Sequence, residues 1–170
     1  SRPGTDSLMG GAASLIQIEL TNQQDQHPVE SERLVAAVRG VLQGEGLERA
    51  EISIAVVDDT TIHQLNVQYL NHDFPTDVLS FVLQREEDYV DGELIVSADT
   101  AATESIRYGW EAADELLLYV IHGTLHLAGY QDGCDEQAAV MRSREDHYLA
   151  QHGLEPHHLP VDSEQSPESI

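Results

Sequence analysis

The sequence predicts an α+β domain, a roughly four-stranded mixed sheet covered by helices. Two observations lead there. Four short segments alternate apolar with polar residues or run apolar for the length of a strand, the pattern of half-buried and interior strands. Five other segments read as helices, the clearest from apolar residues at helical spacing along one face. Their order along the chain is two strands around one helix, a second helix, two more strands and three closing helices, which is the α+β arrangement. The 170 residues set a prior of one domain.

Taken in order, residues 1–13 are rich in Gly, Ser and Ala without periodicity and read as a flexible arm. Leu15 to Leu20 alternates, a half-buried strand. Val29 to Leu42 places apolar residues at 34, 35, 38, 41 and 42, a helix with one apolar face that Gly44 and Gly46 end. Glu51 to Val57 alternates and then runs apolar, an interior strand. Asp58 or Asp59 caps a helix over Thr60 to Leu70, and Pro75 breaks the chain. Val78 to Leu83 and Glu93 to Ser97 are strands, joined by an acidic hairpin loop over Gln84 to Gly92. Ser97 or Asp99 caps a helix to about Tyr108, and Trp110 is expected to pack in the core or at the next helix start. Glu111 to Ala128 is the longest helix, apolar on most sides and therefore central, with Gly129 as its stop. Asp135 to Gln151 is a last helix with Val140, Met141 and Leu149 inward. Residues 14–152 thus form one domain, and 153–170 an acidic tail expected to be disordered, His157 and His158 solvated with it.

Charge and composition narrow the function classes. Eight basic residues, all Arg, face 31 acidic ones, a formal net charge of −23. Such a field repels nucleic acid and anionic membranes at long range, so any binding of RNA needs a metal or a few placed arginines. The bland reading is a solvated acidic surface; the sharper one is a cationic partner. No apolar run approaches the roughly 18 residues of a membrane span, and no signal-peptide pattern opens the chain. The single cysteine, Cys134, cannot form an intramolecular disulfide, which suits a reducing cytoplasm.

The strongest chemical signal is His122-Gly-Thr-Leu-His126-Leu-Ala-Gly129-Tyr-Gln-Asp132. Histidines at i and i+4 share one helix face and can reach one ion. Gly129 can end the helix and turn the chain back, so that Asp132 approaches the same ion. Three protein ligands leave an open position, the mark of a catalytic rather than a structural metal site. Gly123 in mid-helix costs about 1 kcal/mol against Ala and points to a close neighbour or ligand. It also occupies the place where a His-Glu-x-x-His peptidase needs its general base, which argues against peptide hydrolysis by that route.

A second stretch runs from Leu65-Asn66 through Tyr69 and Asp73 to Pro75-Thr76-Asp77-Val78-Leu79-Ser80-Phe81. Thr76 and Asp77 stand at the mouth of a strand, where their side chains either bond local backbone or line a cleft facing the metal helix. Together the two stretches resemble the YbeY family, bacterial endoribonucleases of ribosomal RNA maturation. That family carries His-Gly-x-Leu-His-Leu-x-Gly-Tyr-Asp-His, preceded by Leu-Asn-x-x-Tyr-Arg and Pro-Thr-Asp-Val-Leu-Ser-Phe. Gly92-Glu93-Leu94-Ile95 stands where the family has Gly-Asp and an apolar strand, and Met141 and Glu145 fall where its last helix has Met and Glu. The resemblance spans roughly residues 14–150 and implies an α+β fold with a metal-binding helix lining a cleft.

The departures are chemical. Asp132 replaces the family's third ligand His, Gln131 the Asp before it, Leu70 the Arg after Tyr69, and His72 a frequent basic residue. A carboxylate in place of an imidazole cancels one unit of an ion's charge, which weakens it as a Lewis acid and leaves Mn or Fe open beside Zn. The resemblance implies a zinc-dependent endoribonuclease with one ion per chain on His122, His126 and Asp132. Thr76, Asp77 and Ser80 then line the substrate cleft, and Arg85 and Arg107 are the nearest spare cations for a phosphate. It further implies an rRNA precursor as substrate and the small ribosomal subunit as partner, with no membrane. The general base is not assigned. Two rival readings remain: a ribosome-associated binding module acting through basic ribosomal proteins, and a hydrolase for a non-nucleic substrate.

Overall fold

The computed structural model describes residues 15–70, 76–155 and 157, with the backbone alone at Leu70. The strands are β1 (Ile16–Asn22), β2 (Arg49–Val57), β3 (Val78–Glu86) and β4 (Tyr89–Ser97). The helices are α1 (Ser31–Gly44), α2 (Asp59–Leu65), α3 (Ala98–Tyr108), α4 (Ala112–Leu127) and α5 (Asp135–Ala150), and α2 runs on into one π-helical turn, Asn66–Leu70. Arm residues 1–13, most of the tail, and His72, Asp73 and Pro75 lie outside the described residues.

The four strands form one mixed sheet in the order β1-β2-β4-β3. β1 and β4 each run parallel to β2, and β3 closes the edge antiparallel to β4. Period-two alternation sorts the sheet residues between two faces. Ile52, Ile54 and Val56 of β2 and Leu94 and Val96 of β4 enter the main core. Val57, Leu79, Phe81 and Ile95 point the other way, where Ile62 and Leu65 of α2 cover them in a small second cluster. The main core is closed by α1, α4 and α5, with Leu116 to Ile121 of α4 wholly buried, as the apolar sequence of that helix requires.

Helix ends follow their sequence signals. The Asp58 carboxylate accepts from the Thr61 amide at 2.8 Å and opens α2; the Ser97 hydroxyl accepts from the Thr100 amide at 3.1 Å and opens α3. Gly129, at φ 114°, stops α4 in a conformation that penalises any Cβ. Its amide and that of Tyr130 close back on the carbonyls of His126 and Leu125, both at 3.0 Å.

Three expectations about the secondary-structure elements change. Gln84 to Gly92 is strand rather than loop, and only Glu87 and Asp88 turn. Gln84 to Glu86 are exposed on the edge strand β3 and carry no apolar residue to show an alternation, and on β4 the buried positions are Val90 and Gly92, of which the glycine has no side chain to mark it. The helix expected over Thr60 to Leu70 is α-helical only to Leu65. Val140 is exposed instead of inward; the buried face of α5 is Ala138, Met141, Glu145, Tyr148 and Leu149, a helical stripe that a neighbour of Met141 cannot share.

One contact fixes the height of α4 over the sheet. A Cβ on Gly123 would lie 2.7 Å from Leu94 Cδ2 and 3.1 Å from both Ser80 Oγ and Val78 Cγ2. The close neighbour that this mid-helix glycine implied is therefore the β3–β4 ladder itself. We expect Gly123→Val to lower stability by about 2–3 kcal/mol through overpacking, measured by urea denaturation; an unchanged midpoint would show that the helix can lift off the sheet at no cost.

Candidate metal centre

The site grows out of the last two turns of α4. His122 and His126 lie one turn apart with ring centroids 4.8 Å apart. After Gly129 reverses the chain, Asp132 returns beneath them, 5% exposed. Its Oδ2 is 3.7 Å from His122 Nε2 and 3.6 Å from His126 Nε2. Each of the three residues offers one ligand atom, and these atoms lie within 4.8 Å of one another.

The outward-facing ring nitrogens are both engaged. His122 Nδ1 donates to Glu145 Oε2 of α5 at 2.5 Å, and His126 Nδ1 donates to the Tyr130 carbonyl at 3.0 Å. A proton held on each Nδ1 leaves the lone pair on each Nε2, which is the tautomer a metal ligand needs. Ligand atoms around a tetrahedral ion with bonds near 2.1 Å are roughly 3.4 Å apart, close to the histidine–aspartate separations here. The donor set, two imidazoles and a carboxylate with an oriented second layer, fits a divalent transition metal.

The loop carrying Asp132 is anchored from outside. Tyr130 donates its hydroxyl to Glu45 Oε1 at 2.7 Å, and Tyr148 donates to Glu45 Oε2 at 2.6 Å. Arg144 reaches the same Oε2 from Nε at 3.0 Å and from a terminal nitrogen at 2.8 Å. Glu45 sits just past α1, so one carboxylate ties α1, α5 and the post-helix loop together. Partial burial opposes ionisation of Glu45, but the donors from Tyr148, Tyr130 and Arg144 prevail and hold its carboxyl below the ordinary range.

Electrostatics in the site favour a cation. Burial would lower the His122 imidazole, but the hydrogen bond and charge of Glu145, with the charges of Asp77 and Asp132, raise it instead. Loss of surrounding water raises the Asp77 carboxyl, and the facing His122 only partly offsets this. The surrounding carboxylates thus favour positive charge at this place, which a bound metal ion would supply.

The other residues that the sequence points to divide between this site and local pairing. Asp77 lies in the field of His122, and the Thr76 hydroxyl is 3.4 Å from the Asp77 carboxylate. The Ser80 hydroxyl is directed at the Gly123 carbonyl at 3.4 Å. Arg85 is not spare: its guanidinium donates to the Leu127 carbonyl at 2.5 Å, at the end of α4. Arg107 is paired with Glu104 at 3.0 Å. Cys134 is exposed, just before α5.

Comparison with known proteins places the chain in a family. The family model for endoribonuclease YbeY matches residues 19–153. This chain belongs to the YbeY family. It is 40% identical over 128 residues to the endoribonuclease YbeY of Rhodopirellula baltica, an alignment covering 73% of this chain and 64% of that protein, so the chain spans just under two thirds of that relative. It is 38% identical over 155 residues to the endoribonuclease YbeY of Moorella thermoacetica, covering 82% of this chain and 99% of that one. A solution structure from Thermotoga maritima superposes with a TM-score of 0.57 at 28% identity, over 80% of this chain and 87% of that one.

Glu145 is the site residue whose role sequence reasoning missed in this YbeY chain. The sequence marks it only as matching a family position. A signal is nonetheless present: an acidic residue between Met141 and Leu149 on the buried stripe of α5, where a charge requires a partner. We expect Glu145→Gln to weaken metal binding about 10- to 100-fold with the fold retained, read by competition with a chromogenic chelator. A second expectation concerns Glu45. Because its folded pKa is depressed, its stabilisation is complete above the unfolded value near 4.5 and lost as pH falls through the lower folded value. Denaturation midpoints should therefore fall more steeply below pH 4.5 in the wild type than in Glu45→Gln; parallel curves would remove Glu45 from the acid limb.

Proposed function

We propose that this YbeY-family chain is a metal-dependent endoribonuclease that cleaves ribosomal RNA precursors in the cytoplasm and acts in maturation of the small ribosomal subunit. The observation that carries this reading is the convergence of His122, His126 and Asp132 with both outer ring nitrogens already engaged. Zinc, one ion per chain, is the assigned cofactor, and the carboxylate ligand keeps Mn or Fe as alternatives. When bound, such an ion supplies Lewis-acid activation of a phosphoryl oxygen or of water.

The residues of the chain do the rest. Glu145 and the Tyr130 carbonyl fix the two imidazoles, and the Glu45 anchor fixes the loop that brings Asp132 to them. Thr76, Asp77 and Ser80 are assigned to the wall of the substrate cleft along α4. Asp77 has a raised carboxyl pKa and faces His122, which suits a group that holds or passes a proton during phosphodiester cleavage. RNA approaching a surface of net charge −23 needs local compensation. Part of it is assigned to Arg85, whose guanidinium, although committed to the Leu127 carbonyl, brings a positive charge to the end of the metal helix.

The test joins metal content with cleavage. Wild-type protein, purified without a histidine tag, is expected to hold about one transition-metal ion per chain by elemental mass spectrometry, and His126→Ala and Asp132→Ala to lose it. Both variants should cleave precursor rRNA at least about 100-fold more slowly. Metal retained in both variants would overturn the ligand assignment. Metal lost with rRNA cleavage unchanged would overturn the catalytic reading and favour a binding module that acts through basic ribosomal proteins.

A further inference from the structure

Away from the metal centre, α3, α4 and the chain beyond α5 build a second polar site. Tyr108 ends α3, Trp110 lies in the connection to α4, and Glu115 is in the first turns of α4. Glu115 is 1% exposed, although it is a carboxylate. His157, expected from its tail composition to be solvated, folds back into this site instead. Its ring stacks on Tyr108 at 3.6 Å between centroids and 7° between planes, and meets Trp110 edge-on at 4.5 Å. Its Nε2 pairs with Glu115 Oε1 at 2.8 Å.

This occupant satisfies the site only by half. Among the described residues, neither Glu115 Oε2 nor His157 Nδ1, on the far side of the ring, has a hydrogen bond of good geometry, although the buried Tyr119 hydroxyl one turn along α4 bears on the same carboxylate. A buried polar atom left without a partner keeps the full penalty of losing its water, which is tolerated only when something else compensates. An imidazole offers Glu115 a single nitrogen. A guanidinium offers two parallel N–H groups that match both carboxylate oxygens, and a flat cationic face that stacks on an aromatic ring as the imidazole does. Tyr108 already accepts one such group, with the Arg107 guanidinium 5.7 Å from its ring centroid. The surface of net charge −23 draws cations toward the site.

We infer that Tyr108, Trp110 and Glu115 form a receptacle for an arginine side chain of a basic partner polypeptide, and that His157 is the chain's own resident occupant, which leaves when the arginine enters. The receptacle is separate from the metal ligands, and this inference stands or falls independently of the nuclease reading.

Trp110 is the sole tryptophan and therefore a direct reporter. N-acetyl-arginine amide and N-acetyl-lysine amide are titrated at constant ionic strength against full-length wild type and His157→Ala, following Trp110 fluorescence. The arginine compound is expected to give a saturable change that the lysine compound does not match. Binding should be on the order of tenfold tighter in His157→Ala, the factor for a receptacle that its own occupant fills about nine-tenths of the time. Glu115→Gln should abolish the response. If that variant fails to fold by circular dichroism, Tyr108→Leu takes its place and should weaken binding severalfold. No saturable response in His157→Ala, an equal response to the lysine compound, or unchanged binding in the folded Glu115 or Tyr108 variant would each overturn the inference.

Discussion

The structure depends on one constraint: α4 must run through the middle of the core while carrying two histidines. A helix buried on most sides has no water to solvate a polar side chain, so each imidazole requires a partner supplied by the fold. Glu145 of α5 meets His122, and the turn at Tyr130 meets His126. These same hydrogen bonds set the tautomers that turn both Nε2 atoms toward Asp132. Packing and site chemistry are thus one arrangement rather than two. The helix sits low enough for this because Gly123 has no Cβ to hold it off Leu94, Val78 and Ser80.

The elements farther out hold that arrangement in register. Glu45 collects donors from Tyr130, Tyr148 and Arg144, so the end of α1 is coupled to the loop that bears Asp132 and to the helix that bears Glu145. Gly44 lies against Tyr148, where a Cβ would overlap the phenolic oxygen. The glycine read from sequence as a helix stop therefore has a second task, leaving room for the tyrosine that completes the anchor. Membership of the YbeY family and the positions of the metal-site residues rest on the same scaffold, a mixed sheet with α4 laid across its main face.

Acidity recurs at each functional feature. The candidate metal centre gathers Asp77, Asp132 and Glu145 around His122, and the proposed aromatic receptacle buries Glu115 beneath His157. Both are places where negative charge has been moved out of water and left in need of a cation. In the first the geometry suits a metal ion; in the second it suits a planar organic cation. No helix among the described residues is long and apolar enough to cross a membrane.

Most element types were legible in the sequence by itself, and so was the spacing that makes His122, His126 and Asp132 candidate ligands of one ion. Helical and strand periods are local properties, the i and i+4 spacing places two histidines on one face, and Gly129 can adopt the left-handed turn that returns Asp132. The caps were legible for the same reason to within a pair of candidates, Asp58 or Asp59 and Ser97 or Asp99, and the structure uses Asp58 and Ser97. What tertiary structure alone decided was every pairing across long chain separations: the order β1-β2-β4-β3, the use of Glu145 as partner to His122, and the diversion of Arg85 to the end of α4. The seat of His157 on Glu115 belongs with them. An acidic residue on a helix looks the same in sequence whether it faces water or a buried imidazole. Only the packing of α5 on α4 removes the water, and with it the option of remaining unpaired.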